Sequence, residues 1–259
     1  METRIVTSVA AIYDIHGNLP ALDAVLREID RRDVDLILVG GDVAAGPMPR
    51  PTIERLIELG DRAAFVRGNA DRLLVEHFDR SLSQDAGEDD AWFLRDRWAA
   101  GQISKHQRDF LNGFTDPRTL EIEGLGSVLF CHGSPRSDEG IITAKTPGPR
   151  LRGALAGVEQ RLVVCGHTHV RFDRSWDDFR IVNPGSVGMP YEERPGAYWA
   201  LLGPEVSLER TDYDIEEAGE LFSASGFPDV GEFIERVLHN PPSPDEATQM
   251  FERRAEEMG

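Results

Sequence analysis

Apolar residues along this chain fall into short runs that alternate between two periods. Residues 4–13 form an almost unbroken apolar run and read as a buried strand. Residues 18–31 then place Leu19, Leu22, Val25, Leu26 and Ile29 at helical spacing. Residues 34–39 are apolar except for Asp35, a second strand closed by Gly40-Gly41-Asp42. Residues 51–59 predict a short helix ended by Gly60, and 63–66 a third strand leading into Gly68-Asn69. Strand, helix, strand, helix, strand in this order predicts a mostly parallel sheet with helices on its face. Ligands of such sheets gather at the carboxyl ends of the strands.

The pattern changes after Asn69. Residues 71–112 carry Leu73, Leu74 and Phe78, then Trp92, Phe93, Leu94 and Trp98, then Ile103, Phe110 and Leu111, with a polar acidic break over 81–90. They predict an inserted helical segment, bounded at 72–116, that covers the site. Residues 119–122 and 127–131 read as a strand pair about a glycine-rich turn, and 136–149 as a polar loop. A helix over 151–158 and a strand over 162–165 follow. Four further strands, 170–176, 179–182, 198–202 and 206–211, predict a second, mixed or antiparallel sheet. Helices are expected over 214–222, 231–238 and 245–257, the last set off by Pro241-Pro242-Ser243-Pro244.

Five of the apolar runs end in the same way. Asp14-Ile15-His16-Gly17, Gly40-Gly41-Asp42, Gly68-Asn69-Ala70-Asp71, Cys131-His132-Gly133-Ser134 and Gly166-His167-Thr168-His169 each put a metal-ligating side chain next to glycine. Asp14 and His16 are two residues apart, as are His167 and His169, so a strand or extended turn aims each pair one way. The ligand set is Asp14, His16, Asp42, Asn69, His132, His167 and His169: two carboxylates, one amide and four imidazoles. That is too many for one divalent ion and fits two, with a carboxylate between them to offset their repulsion. A nitrogen and oxygen set without thiolate suits Mn, Fe, Co, Ni or Zn better than Ca or Mg. Paired ions serve phosphoryl chemistry by activating a water to hydroxide and holding phosphate oxygens.

Composition narrows the reading. The formal net charge of −18 disfavours non-specific nucleic-acid binding. Residues 214–259 hold 12 acidic and 3 basic side chains, half of that excess, outside every motif. Cys131 and Cys165 form no disulfide scaffold and read as small buried residues at strand ends. No apolar run is long enough to span a membrane, and the start lacks the parts of a signal peptide, so a cytoplasmic location is expected.

In their order the five motifs resemble those of the calcineurin-like metallophosphoesterases, and Asn183-Pro184-Gly185-Ser186-Val187-Gly188 resembles a strand-end loop of that superfamily's smaller bacterial and archaeal phosphodiesterase branch. The resemblance covers about residues 3–213, less the helical segment. It implies an α/β fold, a four-layer α/β/β/α sandwich, as domain 1–213; the acidic, helical residues 214–259 are expected as a C-terminal extension packed on it. It implies Asp14, His16 and His169 on one metal, Asn69, His132 and His167 on the other, Asp42 between them, and two divalent ions, manganese first. Asp42, Asn69, His132 and Asp71 are the expected catalytic set, and Asn18 a further phosphate contact or a turn-maker.

One position departs from the family. Many members carry His in the third place of Gly-Asn-His-Asp, where it protonates the leaving group; here it is Ala70. His77, His106 or the 136–149 loop are alternative sources of an acid. The expected activity is hydrolysis of a small phosphate ester, a diester in preference. A monoester phosphatase and a non-catalytic scaffold of the same fold are the alternatives; all seven filled ligand positions argue against the scaffold.

Overall fold

The computed structural model describes residues 5–81 and 91–258. The first apolar run is two strands rather than one. β1 (Ile5–Val6) joins one sheet and β2 (Val9–Ile12) the other. Asp35 holds the crossing: its Oδ2 accepts from the backbone N–H of Thr7 at 2.7 Å and of Ser8 at 3.2 Å. Apolar residues on both sides of Thr7-Ser8 hide such a change of sheet, because two polar residues alone do not mark it.

The five-stranded sheet adds β3 (Leu36–Val39), β4 (Ala63–Phe65), β10 (Ala197–Leu202) and β11 (Val206–Thr211), in the order β11-β10-β2-β3-β4. β2, β3 and β4 are parallel, and β10 runs antiparallel to β2 and β11. The six-stranded sheet adds β5 (Arg118–Ile122), β6 (Gly126–Phe130), β7 (Leu162–Val164), β8 (Phe172–Trp176) and β9 (Phe179–Asn183), in the order β1-β5-β6-β7-β9-β8. Strand parity sorts the side chains. Val9, Ala11 and Tyr13 face the other sheet, where Val6, Val128, Phe130, Val164 and Val182 meet them. Ala10 and Ile12 face outward to α1 (Leu19–Ile29) and α2 (Pro49–Ile57). On the far side of the six-stranded sheet, Leu151 and Leu155 at α6 (Gly148–Ala154) pack on Leu129, Val163 and Ile181. The four layers expected from sequence are present.

The helices after β4 are α3 (Asn69–Ser81), α4 (Ala91–Gln102) and α5 (Lys105–Asn112). They do not cover the strand ends as expected. Leu74, Val75, Ala99, Ala100, Ile103 and Leu111 join α1 and α2 in the outer layer, and Phe65 of edge strand β4 stacks on Phe114 at 4.7 Å. The edge of the sheet offers apolar surface that these helices bury; only the start of α3 reaches the strand ends. Most of the polar break expected at 81–90 lies outside the described residues.

The C-terminal segment forms α7 (Ile215–Ala224), α8 (Val230–Ile234), a π-helical turn (Glu235–His239) and α9 (Pro244–Met258). Phe222, Phe227, Phe233, Val237 and Phe251 build a cluster that also takes in Val170, Met189 and Tyr191. This segment lies against the loops at the strand ends, with Trp98 of α4 at its border, 5.3 Å from Phe227. Among the described residues no helix is long and apolar enough to cross a membrane.

A candidate metal centre at the strand ends

The five motifs follow the carboxyl ends of β2, β3, β4, β6 and β7, and their side chains converge. The strand-parity reason for this does not hold: β2 ends at Ile12 and β7 at Val164, before the ligand pairs. Left-handed backbone does the work instead. Asp14, His16, Asp42, His167 and His169 have φ of 54°, 48°, 54°, 67° and 57°, and they are five of the seven described non-glycine residues with positive φ. Each such residue costs roughly 1–3 kcal/mol, and such strain clusters at functional sites. Alternate residues in this conformation send Asp14 and His16 one way while Ile15 between them enters the core.

Two groups of ligand atoms result. Asp14, His16 and His169 form one; Asp42, His132 and His167 form the other, with atoms within 4.8 Å of one another in each. Asn69 joins the second, its Oδ1 lying 3.1 Å from His132 Nε2. Asp42 Oδ2 faces both groups, 3.3 Å from His132 Nε2 and 3.7 Å from His16 Nε2. Every predicted ligand is therefore in one place. Cys131 and Cys165 are buried in the outer cluster beneath α6, which removes them as ligands, and burial drives both thiols above their ordinary range.

The imidazoles are set for coordination. The Nδ1–H groups of His16, His132 and His169 donate to the carbonyl oxygens of Ala45 at 3.1 Å, Gly40 at 2.8 Å and Met189 at 2.8 Å. That tautomer leaves each Nε2 lone pair turned inward, the usual outer support of a metal-bound histidine. None of these carbonyl partners shows in the sequence, since every residue carries one.

The inward atoms fit metal ions. Asp14 Oδ1 and His167 Nε2 are buried without a hydrogen-bond partner. His16 Nε2 and His169 Nε2 stand 3.2 Å apart with lone pairs facing, which is repulsive unless a proton or a cation lies between. Donors on one ion at about 2.1 Å stand roughly 3.0–3.4 Å apart. That spacing, the 3.3 Å above and the 3.4 Å from His169 Nε2 to Asp14 Oδ1 agree with it. Charge points the same way. Burial alone would raise the Asp14 and Asp42 carboxyls, yet His169 beside Asp14 and His132 beside Asp42 hold both below the usual range. Burial would lower His132, but Asp42 and Asp14 raise it to about 10. Burial, then His132, push His167 down to about 3. Two buried carboxylates thus draw a proton onto an imidazole, a positive charge that a cation replaces.

Supporting groups complete the site. Asp71 is turned into the backbone: Oδ2 accepts from Asp42 N–H and Gly68 N–H, and Oδ1 from Val43 N–H, each at 2.9 Å. Burial and the Asp42 carboxylate raise it to about 7 against the pull of the Val43 and Gly68 amides. Asn18 is fully used as a turn-maker: its Oδ1 caps α1 at Ala21 N–H, and its Nδ2 donates to Gly188 O and the Tyr213 hydroxyl. Ser186 donates to Asp14 O at 2.7 Å, so the 183–188 loop buttresses the first motif. His77 sits eight residues along α3 from Asn69, roughly 12 Å at helical rise. His106 is exposed on α5 in the outer layer. Gly68 has no room for a side chain: a Cβ there would lie 2.1 Å from Asp42 Oδ1. Gly68→Ala is expected to displace Asp42, lower stability by about 1–3 kcal/mol and reduce metal loading; thermal melts and metal content of the purified variant check this.

Fold and site together define a two-sheet α/β sandwich protein with two candidate metal-ligand groups at its strand ends. The chain belongs to the calcineurin-like phosphoesterase superfamily, whose domain model matches residues 8–203. It is similar to the uncharacterized protein MJ0912 of Methanocaldococcus jannaschii, at 25% identity over 85% of this chain and 94% of that protein. Among solved structures it resembles the hypothetical protein PH1004 of Pyrococcus horikoshii, with a TM-score of 0.77, 20% identity and coverage of 93% of this chain and 100% of that one. A metallophosphoesterase from Sphaerobacter thermophilus follows at a TM-score of 0.70, 24% identity and coverage of 91% and 100%.

Proposed function

We propose that this protein hydrolyses phosphate esters with two divalent transition-metal ions, manganese first, and that phosphodiesters are its preferred substrates. The observation that carries the reading is the pair of converging His/Asp groups, in which Asp14 Oδ1 and His167 Nε2 are buried without a hydrogen-bond partner. Asp14, His16 and His169 would hold one ion and Asn69, His132 and His167 the other, with Asp42 facing both. Bound there, such ions supply positive charge to phosphoryl oxygens and acidify a water. The family, and the likeness to the metallophosphoesterase of Sphaerobacter thermophilus, support the reaction class.

The chain's own residues do the rest. Backbone carbonyls take the Nδ1–H of three rings and so turn their Nε2 atoms toward the ion positions. Asp71 holds the Asp42 and Gly68 backbones together, a positioning role. Burial of six of the seven ligands excludes bulk water, which strengthens every charge interaction inside.

The preference for diesters rests on the departing group. With Ala70 beside Asn69, His77 roughly 12 Å along α3 and His106 exposed in the outer layer, neither of these imidazoles stands ready to protonate an alkoxide. A general acid contributes about 10²–10⁴-fold, and its absence hurts poor leaving groups most. The expected result is a steep fall of kcat/KM with leaving-group pKa across a series of aryl and alkyl diesters, with alkyl monoesters slowest. A flat dependence would reveal another acid and remove the argument for diesters.

A further inference from the structure

The candidate ligands are covered unevenly. Asn69 is half-buried, while the other six are buried. On the His167 and His169 side the cover is aromatic, and half of it comes from beyond the 8–203 family match. The ring of Phe251, on α9, stands 5.9 Å from that of His167 at 61°. Tyr191 stacks on His169 at 5.2 Å and 22° and meets Phe251 at 6.5 Å. His132 lies 5.3 Å from His167, so the His167 ring touches both another ligand and a side chain of the C-terminal helix. Both aromatic residues are only 7% exposed, so the wall is closed rather than grazing.

The wall is also anchored. Glu252, next to Phe251, accepts from the Thr143 hydroxyl at 2.5 Å and the Thr146 hydroxyl at 2.8 Å, and it pairs with Arg150. Lys145 reaches Asp245 at the start of α9 at 2.7 Å. These contacts tie α9 to the 136–149 loop and fix where the Phe251 ring stands.

We propose that Phe251 is a specificity-determining residue of the metal centre: with Tyr191 it closes the His167–His169 side, so that an ester approaches along Asn69 and the bulk of the group retained on phosphorus is limited by this wall. The substrate part rests on the phosphoesterase reading above; the closure of the metal side does not. Truncating the ring opens space beside His167 Nε2. Bulkier esters then fit, and solvent and chelators reach the ligands.

The test uses full-length protein loaded with manganese, as wild type, Phe251→Ala, Phe251→Leu and Glu252→Gln. One readout is the rate of manganese release to excess chelator. The other is kcat/KM for methyl p-nitrophenyl phosphate and bis(p-nitrophenyl) phosphate, which share a leaving group and differ in the retained one. Phe251→Ala is expected to raise the bulky-to-small ratio about tenfold and to speed release about tenfold. Phe251→Leu falls between, and Glu252→Gln, which keeps the ring but loosens its helix, moves both the same way by less. Should the alanine variant fail to fold, the other two carry the comparison. Ratio and release unchanged across the folded variants overturn the proposal. A wild type that binds manganese and hydrolyses neither diester sinks the phosphoesterase reading, while the release rates still uphold or overturn the wall.

Discussion

Asp42→Asn is expected to lower turnover about 10³-fold, as a loss of several kcal/mol of charge stabilisation implies. The substitution is close to isosteric, and asparagine tolerates the left-handed backbone at 42 better than most residues do. Ala70 N–H, which donates to Asp42 Oδ1 at 2.8 Å, keeps an acceptor. What disappears is one negative charge at a point that faces His132 and His16 from opposite groups. Both ions should therefore bind more weakly. Metal content after buffer exchange and steady-state rates with saturating manganese read the two effects separately. Native occupancy with native turnover would show that Asp42 does not serve the pair.

Asp71→Asn should act through structure before chemistry. Both carboxylate oxygens of Asp71 accept backbone N–H groups, three in all, and the group is 1% exposed. Asparagine keeps one oxygen and sets an NH₂ group against an amide that also donates. Hydrogen bonds to a charged acceptor are worth about 1.5–3 kcal/mol, and a stranded buried donor adds to the loss. A destabilisation of about 3 kcal/mol corresponds to a fall of roughly 6–12 °C in Tm for a chain of this size. Asp42 and Gly68 lose their common tether, so metal affinity should fall with Tm. A variant with native Tm and affinity but low turnover would make Asp71 a participant in the reaction rather than a positioning residue.

The two sheets and most of the helices were legible because strand and helix periods differ and the apolar runs are short and well punctuated; their four-layer stacking followed from the family resemblance. Glycine next to Asp, Asn or His at five run ends located the strand-end residues that converge. Their backbone was not legible. Left-handed Asp and His cost energy locally and are held by the surrounding fold; these types adopt that backbone more readily than most, but the preference singles out no position in a sequence. The same limit applies to the carbonyls of Gly40, Ala45 and Met189 that orient the rings. Residues 4–13 concealed a change of sheet, since apolar residues flank Thr7-Ser8 on both sides and the exposure of Ile5 does not show in its type. The placement of α3 to α5 was misjudged because an insertion after a ligand says nothing about which apolar surface it will bury. Phe251 was invisible for the opposite reason: it is one aromatic residue on an amphipathic helix about eighty residues beyond the last histidine motif, and only the packing of α9 brings it to His167.

Metal stoichiometry tests the account most directly. Full-length protein, stripped with chelator, reloaded with manganese and passed through a desalting column, is analysed for metal per chain. Two ions per chain are predicted, falling on substitution of a residue from either group, His16 or His132. One ion or none, or an occupancy indifferent to both substitutions, would contradict the paired centre.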